Sequence, residues 1–194
     1  MLKIRLAIFA SGAGSNALNI LRHFENNAHI EVAFLMTNRK ESPLVLAAKT
    51  IAPPILVFDN QHVSDGEFLV DVCAEHKIDY VILAGYLRLI PKEFILNFKE
   101  KIINIHPSLL PDFGGQGMYG DNVHLAVLAA KAKNSGISIH FVDENFDEGR
   151  MLAQFYCAVE EEETLSSLKK KIQYLEHTYF PVVIEQTILN QTHA

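Results

Sequence analysis

Apolar residues in this chain fall into short runs, and stretches of helical periodicity lie between them. Leu6 to Ala10 is a run of strand length that ends at Ser11-Gly12-Ala13-Gly14-Ser15-Asn16. Ala17, Leu18, Ile20, Leu21 and Phe24 then recur at helical spacing, so the opening reads strand, glycine-rich turn, helix. Ile30 to Met36 predicts a second strand and Pro43 to Lys49 a short helix. Ile55 to Phe58 predicts a third strand, entered through Pro53-Pro54. Phe68, Leu69, Val72 and Cys73 mark a helix that ends near His76. Tyr80 to Ala84 is apolar on both faces, as parallel strands are. Lys101-Ile102-Ile103 reads as the end of another buried strand, and Pro107 stops it soon afterwards.

Further on, Asp121 is expected to cap a helix over Val123 to Lys133, with His124 on its surface and Asn134-Ser135-Gly136 as its stop. Ile137, Ile139 and Phe141 alternate with Ser138, His140 and Val142, which predicts a strand with two distinct faces. An acidic turn, Asp143 to Gly149, joins it to Met151–Tyr156 as a long hairpin. Glu161 to Thr164 leads into a last helix with Leu165, Leu168, Ile172 and Leu175 at spacings of three and four. Strands alternating with helices give an α/β class: an open, mostly parallel Rossmann-like sheet flanked by helices, with an antiparallel C-terminal hairpin. The order of its strands does not follow from this pattern.

With 194 residues, 49% hydrophobic and a mean hydropathy of +0.11, the chain is expected to form one domain over 1–194 around one core. A net charge of −6 argues against a general nucleic-acid surface. The run Lys169-Lys170-Lys171 follows Glu160 to Glu163 and reads as a solvated helix face. Cys73 and Cys157 form no CxxC motif, so a disulfide framework is not expected. Met1 to Arg5 shows no signal-peptide pattern and no apolar stretch is long enough to span a bilayer, so a cytoplasmic protein away from membranes is expected. His106, His124 and His140 are too widely spaced to suggest a metal site.

Two stretches carry candidate chemistry. The turn Ser11–Asn16 brings backbone N–H groups and a helix N-terminus to one place, an anion site that usually takes phosphate. Gly12-x-Gly14-x-x-Ala17 also fits a dinucleotide fingerprint, with Arg39 placed to read a 2′-phosphate, and a purely structural turn is a further reading. Asn104 and His106 stand two apart at a strand's carboxyl end, so period-two alternation points them to one side. An amide donor beside an imidazole suits stabilisation of a developing oxyanion, although a lone histidine there also serves as a packing residue. After Pro111, four glycines in Asp112–Gly120 make a lid or simply a mobile loop.

The octet Asn104-Ile-His106-Pro107-Ser-Leu-Leu-Pro111 resembles the signature of the formyltetrahydrofolate-dependent formyltransferases. Other segments resemble the same family in the same order, from Ser11 to Pro181, and look closest to its glycinamide ribonucleotide branch. The loop Ser11–Asn16 is similar to the one that holds a ribonucleotide phosphate, which favours a small ribose-phosphate over a dinucleotide. Gly85-Tyr86-Leu87-Arg88-Leu89-Ile90 resembles the segment whose backbone holds the pteridine head of the folate. On the bare sequence those residues would simply begin the next helix. The frame from Gly136 to Gln154 places Asp147 where the family has the carboxylate paired with its histidine. Gln173, Glu176 and His177, ahead of Pro181, resemble the family's last helix. The glycine loop departs from the usual Pro-Gly pattern, and Glu148 stands where the family has glycine. The alignment is too loose around His62 to give it a role.

The resemblance implies catalytic Asn104, His106 and Asp147. It implies ribonucleotide contacts at Gly14, Ser15, Asn16, Gln173 and Glu176, and folate contacts at Leu87, Arg88, Leu89, Ile90 and Asn104. Residues 1–100 would be the half that binds the ribonucleotide phosphate, and 101–194 the catalytic and folate-binding half. The implied reaction is direct formyl transfer from 10-formyltetrahydrofolate, as co-substrate, to the amine of 5-phosphoribosylglycinamide in purine synthesis. It needs no metal, and Asp147 would raise the pKa of His106. Small molecules would be the only partners of a monomer or homodimer. The alternatives are a methionyl-transfer-RNA formyltransferase, which should add a basic C-terminal domain, a formyltetrahydrofolate hydrolase, an NADP-dependent reductase and a non-enzymatic nucleotide-binding module.

Overall fold

A computed structural model of the chain describes residues 2–47 and 53–192. The chain divides into two compact units, Met1–Ile103 and Asn104–Ala194. The first unit holds strands β1 (Ile4–Phe9), β2 (Ile30–Thr37), β3 (Ile55–Val57) and β4 (Tyr80–Leu83). β1 pairs in parallel with β2 and β4, and β2 with β3. Helices α1 (Ser15–Phe24), α2 (Pro43–Ala47), α3 (Gly66–Glu75) and α4 (Lys92–Asn97) connect them. The predicted continuation of α2 to Lys49 lies outside the described residues.

The continuous apolar runs of β1 and β4 are buried throughout from Leu6 to Phe9 and from Tyr80 to Leu83. Phe94 of α4 stacks against Phe9 at 6.0 Å and Phe98 at 4.7 Å. Full burial of a phenylalanine contributes about 2–3 kcal/mol, so this cluster is a main support of the sheet's α4 side. Asp65 caps α3 by accepting the Phe68 N–H at 3.0 Å.

Strand β5 (Ile102–His106) runs through the division between the units. The second unit holds α5 (Asp121–Ala129), β6 (Asn134–Phe141), β7 (Met151–Ala158) and α6 (Leu165–Thr192). β6 and β7 pair antiparallel. The sheet order is β3-β2-β1-β4-β5-β6-β7, a mixed, mostly parallel sheet with the antiparallel C-terminal pair expected from the sequence.

Several local expectations are corrected. Gly120, not Asp121, is the N-cap of α5, and Asp121 begins the helix with its carboxylate 2.5 Å from Lys169 Nζ. α5 ends at Ala129 because Lys131 turns into the left-handed region, with φ 50°. Asn134-Ser135-Gly136 does not stop a helix but starts β6. Gly136 is needed there because a side chain would overlap the carbonyl oxygen of Phe155 on β7. Along β6 every residue from Ser135 to Phe141 is buried, the polar Ser138 and His140 as well as the apolar residues between them. His124 is buried rather than on the surface, 7% exposed. The last helix runs through Pro181 to Thr192. Phe180, Val183, Ile184 and Ile188 are buried in that stretch, and their burial outweighs the proline's cost of about 3 kcal/mol.

Candidate active site

In the second unit the site is built on β5. Its isoleucines fill the core and its alternation carries Asn104 and His106 to one side, with His106 buried at 4% exposure. The His106 ring lies between two oxygen acceptors. Nε2 is 2.8 Å from the carbonyl oxygen of Phe113, and Nδ1 is 3.5 Å from Asp147 Oδ2. Asp147 adopts a left-handed conformation, φ 58°, which aspartate tolerates better than most side chains. The same Oδ2 accepts the Gly115 N–H at 2.9 Å. The glycine-rich loop is therefore fastened to both members of the pair, through Phe113 and Gly115.

His140 completes the cluster. Its Nδ1–H donates to the Phe141 carbonyl at 2.9 Å, which leaves Nε2 as an acceptor for the Asn104 amide at 3.2 Å. Burial holds the pKa of His140 below the ordinary histidine value, and the His106 charge adds to this. The Phe141 carbonyl, Asp147 and Asp143 oppose the shift. The ring is neutral on this account, so its 3.7 Å approach to Asp147 Oδ1 is not an ion pair. It serves to fix the orientation of Asn104.

The octet's Pro107–Pro111 portion is held from β6 and β7. Ser138 Oγ donates to the Ser108 carbonyl at 2.7 Å and accepts the Leu110 N–H at 2.9 Å. Gln154 Nε2 donates to the Leu110 carbonyl at 2.9 Å and to Ser138 Oγ at 2.8 Å. Ser108 Oγ donates to the Asp112 carbonyl at 2.7 Å.

Gln173 and Glu176 of α6 line a cavity of about 590 Å³ together with His124, Lys169 and Lys170. Burial lowers the pKa of His124, the positive Lys169 and His106 lower it further, and Asp121 works against them. Sequence reasoning missed this inward-facing histidine because α5 is short and its apolar residues do not define a clean face.

The remaining predicted contacts are in the first unit. Gly14 is the N-cap of α1 in a left-handed conformation, φ 76°, and its carbonyl accepts the Leu18 N–H at 2.8 Å. A side chain at Gly14 would press on Leu44 of α2, 2.6 Å from its Cδ1. Ser15 and Asn16 open the helix. Beside the loop lies a cavity of about 630 Å³ lined by Ser11, Gly12, Ala13, Arg39 and Lys40. Leu87 to Ile90 do not begin a helix, since α4 starts only at Lys92. Tyr86 and Ile90 are buried, while Leu87, Arg88 and Leu89 are exposed. Tyr86 sits edge-on to Phe9 with ring centroids 5.6 Å apart. No group of His, Cys, Asp and Glu suited to a metal occurs among the described residues, and no described helix is long and apolar enough to cross a membrane.

The structure thus brings Asn104, His106 and Asp147 together and places Gln173 with Glu176 on one cavity. Ser138, His140 and Gln154 join the first group. In the sequence they belong to the Gly136–Gln154 frame, as polar residues at alternate positions of otherwise apolar strands, with no role attached to them.

The family model described as formyl transferase matches residues 4–184. The chain is 42% identical over 186 residues to the chloroplastic phosphoribosylglycinamide formyltransferase of Arabidopsis thaliana. That match covers 93% of this chain but 64% of the plant protein. It is 32% identical over 189 residues to phosphoribosylglycinamide formyltransferase of Bacillus subtilis, covering 95% of this chain and 94% of that protein. The crystal structure of phosphoribosylglycinamide formyltransferase from Bacillus halodurans superposes with a TM-score of 0.83 at 36% identity, covering 94% of both chains.

Proposed function

Since the chain belongs to the formyl transferase family, we propose that it transfers the formyl group of 10-formyltetrahydrofolate to the amine of 5-phosphoribosylglycinamide, in purine synthesis. The observation that carries this reading is the His106 ring lying between Asp147 and Phe113, with Asn104 beside it on the same strand. The substrate amine attacks the formyl carbon and a tetrahedral oxyanion forms. The bond from that carbon to the folate nitrogen then breaks, and the proton lost by the amine ends on that nitrogen.

His106 Nε2–H, held by the Phe113 carbonyl before substrate enters, is the donor to the oxyanion. Asp147 beside Nδ1 orients the ring and offsets its positive charge. One N–H of Asn104 is committed to His140, and the other serves the same oxygen. The backbone around Leu87, Arg88, Leu89 and Ile90 takes the folate's flat ring, with Asn104 at the formyl end. Gly14, Ser15 and Asn16 take the phosphate, in keeping with an uncharged turn at a helix N-terminus. Gln173 and Glu176 take the ribose and glycinamide. Both substrates are small molecules.

The test is a spectrophotometric assay of purified protein with both substrates, each omitted in turn. Loss of the formyl group from the folate only when the ribonucleotide is present is the expected result. Loss without the ribonucleotide would make the protein a hydrolase. No reaction with either would overturn the proposal.

A further inference from the structure

Four side chains and backbone groups form a hydrogen-bonded line along the carboxyl ends of the first unit's four parallel strands. The Leu87 N–H, after β4, donates to Ser11 Oγ, after β1, at 3.1 Å. Ser11 Oγ donates in turn to Asn38 Oδ1, after β2, at 2.8 Å. Asn38 Nδ2 then donates to Asn60 Oδ1, after β3, at 3.0 Å. The order β4, β1, β2, β3 is the order of the strands in the sheet. The Ser11 backbone N–H adds a bond to the Gly85 carbonyl at 3.1 Å.

Ser11 occupies the critical position in this line. From β1 the chain builds outward through β2 and β3, then returns to lay β4 on the other side of β1. Ligands of open α/β sheets bind at such reversals. Ser11 spans the reversal and is 1% exposed, so its hydroxyl answers to these partners rather than to water. It also immediately precedes the glycine-rich phosphate turn.

We propose that Ser11 is a positioning residue for the formyl donor, holding the Gly85–Leu87 segment in the orientation that binds it. The assignment of donor and phosphate segments rests on the function proposed above. The physical link is the peptide plane between Tyr86 and Leu87. The peptide is planar and trans, so a Leu87 N–H turned to Ser11 sends the Tyr86 carbonyl the opposite way. Gly85, with φ 70°, supplies the turn that lets the next peptide swing in. Tyr86 packed on Phe9 then fixes the side-chain face. The Leu87 N–H is consumed inside the protein and is not itself a donor to the ligand. What Ser11 controls is the direction of the acceptor next to it.

The experiment compares wild type with Ser11→Ala, Ser11→Thr and Asn38→Ala. Ser11→Ala keeps the backbone bond to Gly85 and removes only the hydroxyl. It should raise the KM for 10-formyltetrahydrofolate about tenfold, the loss expected of one buried hydrogen bond, while the KM for 5-phosphoribosylglycinamide moves less than about twofold. Ser11→Thr keeps a hydroxyl and should restore most of the difference. Asn38→Ala should shift the folate KM in the same direction by less. Hydrogen exchange at the Leu87 amide, read by NMR without substrates, should speed up in Ser11→Ala. Equal changes in both KM values, or an unchanged folate KM in a folded Ser11→Ala variant, would overturn the positioning role. An inactive wild type would instead overturn the proposed reaction, and the Leu87 exchange rate would still decide whether Ser11 holds that peptide.

Discussion

Asn104 and His140 are joined by a 3.2 Å hydrogen bond in which a neutral, buried imidazole accepts from the amide. Because the other ring nitrogen is held by the Phe141 carbonyl, the imidazole has one tautomer that satisfies both partners, and the amide one orientation. His140→Ala should free the Asn104 amide to rotate and lower kcat by about 10- to 100-fold, somewhat less than outright loss of an oxyanion donor. Steady-state kinetics check this. An unchanged kcat would mean that Asn104 needs no support.

His106→Ala should lower turnover by about 10² to 10⁴, the range for a positioned acid, with substrate binding retained. Turnover at the wild-type rate would remove His106 from the mechanism.

Asp147→Asn preserves an oxygen that can accept from Gly115 and removes the charge facing His106. Turnover should fall by at least about tenfold, in keeping with loss of an electrostatic partner. The melting temperature should stay near wild type, and differential scanning calorimetry beside the assay separates the two effects. A large drop in melting temperature with normal turnover would recast Asp147 as a structural anchor of the loop.

Both His124 and His140 have pKa values lowered in the folded state, chiefly by burial. The unfolded chain therefore takes up protons below about pH 6.5 that the folded chain refuses. Their contribution is complete above that pH and is lost as pH falls from there toward the lowered folded values. Thermal melts between pH 7.5 and pH 5 should show decreasing stability, and the decrease should be shallower in His124→Gln. An identical slope in that variant would mean that His124 takes no part.

Gly14→Ala should cost about 1–2 kcal/mol of stability, the penalty of a left-handed backbone with a side chain. It should also raise the KM for the ribonucleotide more than that for the folate. Adding Leu44→Ala relieves the contact with α2 but not the backbone strain, so recovery of the KM in the double variant would assign that effect to crowding.

The alternation of apolar runs with helical periodicity was enough to read the α/β class, because burial on both faces leaves unbroken stretches such as Tyr80–Leu83. The Asn104–His106 pair was legible because strand geometry alone puts positions two apart on one side. The partner carboxylate was legible only by resemblance: Asp147 is 41 residues from His106, and no local pattern reports a contact across that separation. In β6 the alternation showed two distinct faces but not the partners of the polar one. Ser138 and His140 are buried and bonded to Ser108, Leu110 and Asn104, which lie far off in the sequence, and His140 also to the adjacent Phe141 carbonyl. The periodicity from Leu165 to Leu175 located the last helix but not its far end, which runs past Pro181 because Phe180, Val183, Ile184 and Ile188 are buried on either side of it.

The alternation in β5 sets where the chain can tolerate a change of length. One residue added or removed between Ile102 and His106 would turn Asn104 or His106 to the opposite side of the sheet and bring an isoleucine in its place. A residue gained at the tip of the glycine-rich loop, around Gln116 to Tyr119, leaves that alternation untouched. Insertions and deletions should therefore accumulate in the loop and be purged from the five residues of the strand.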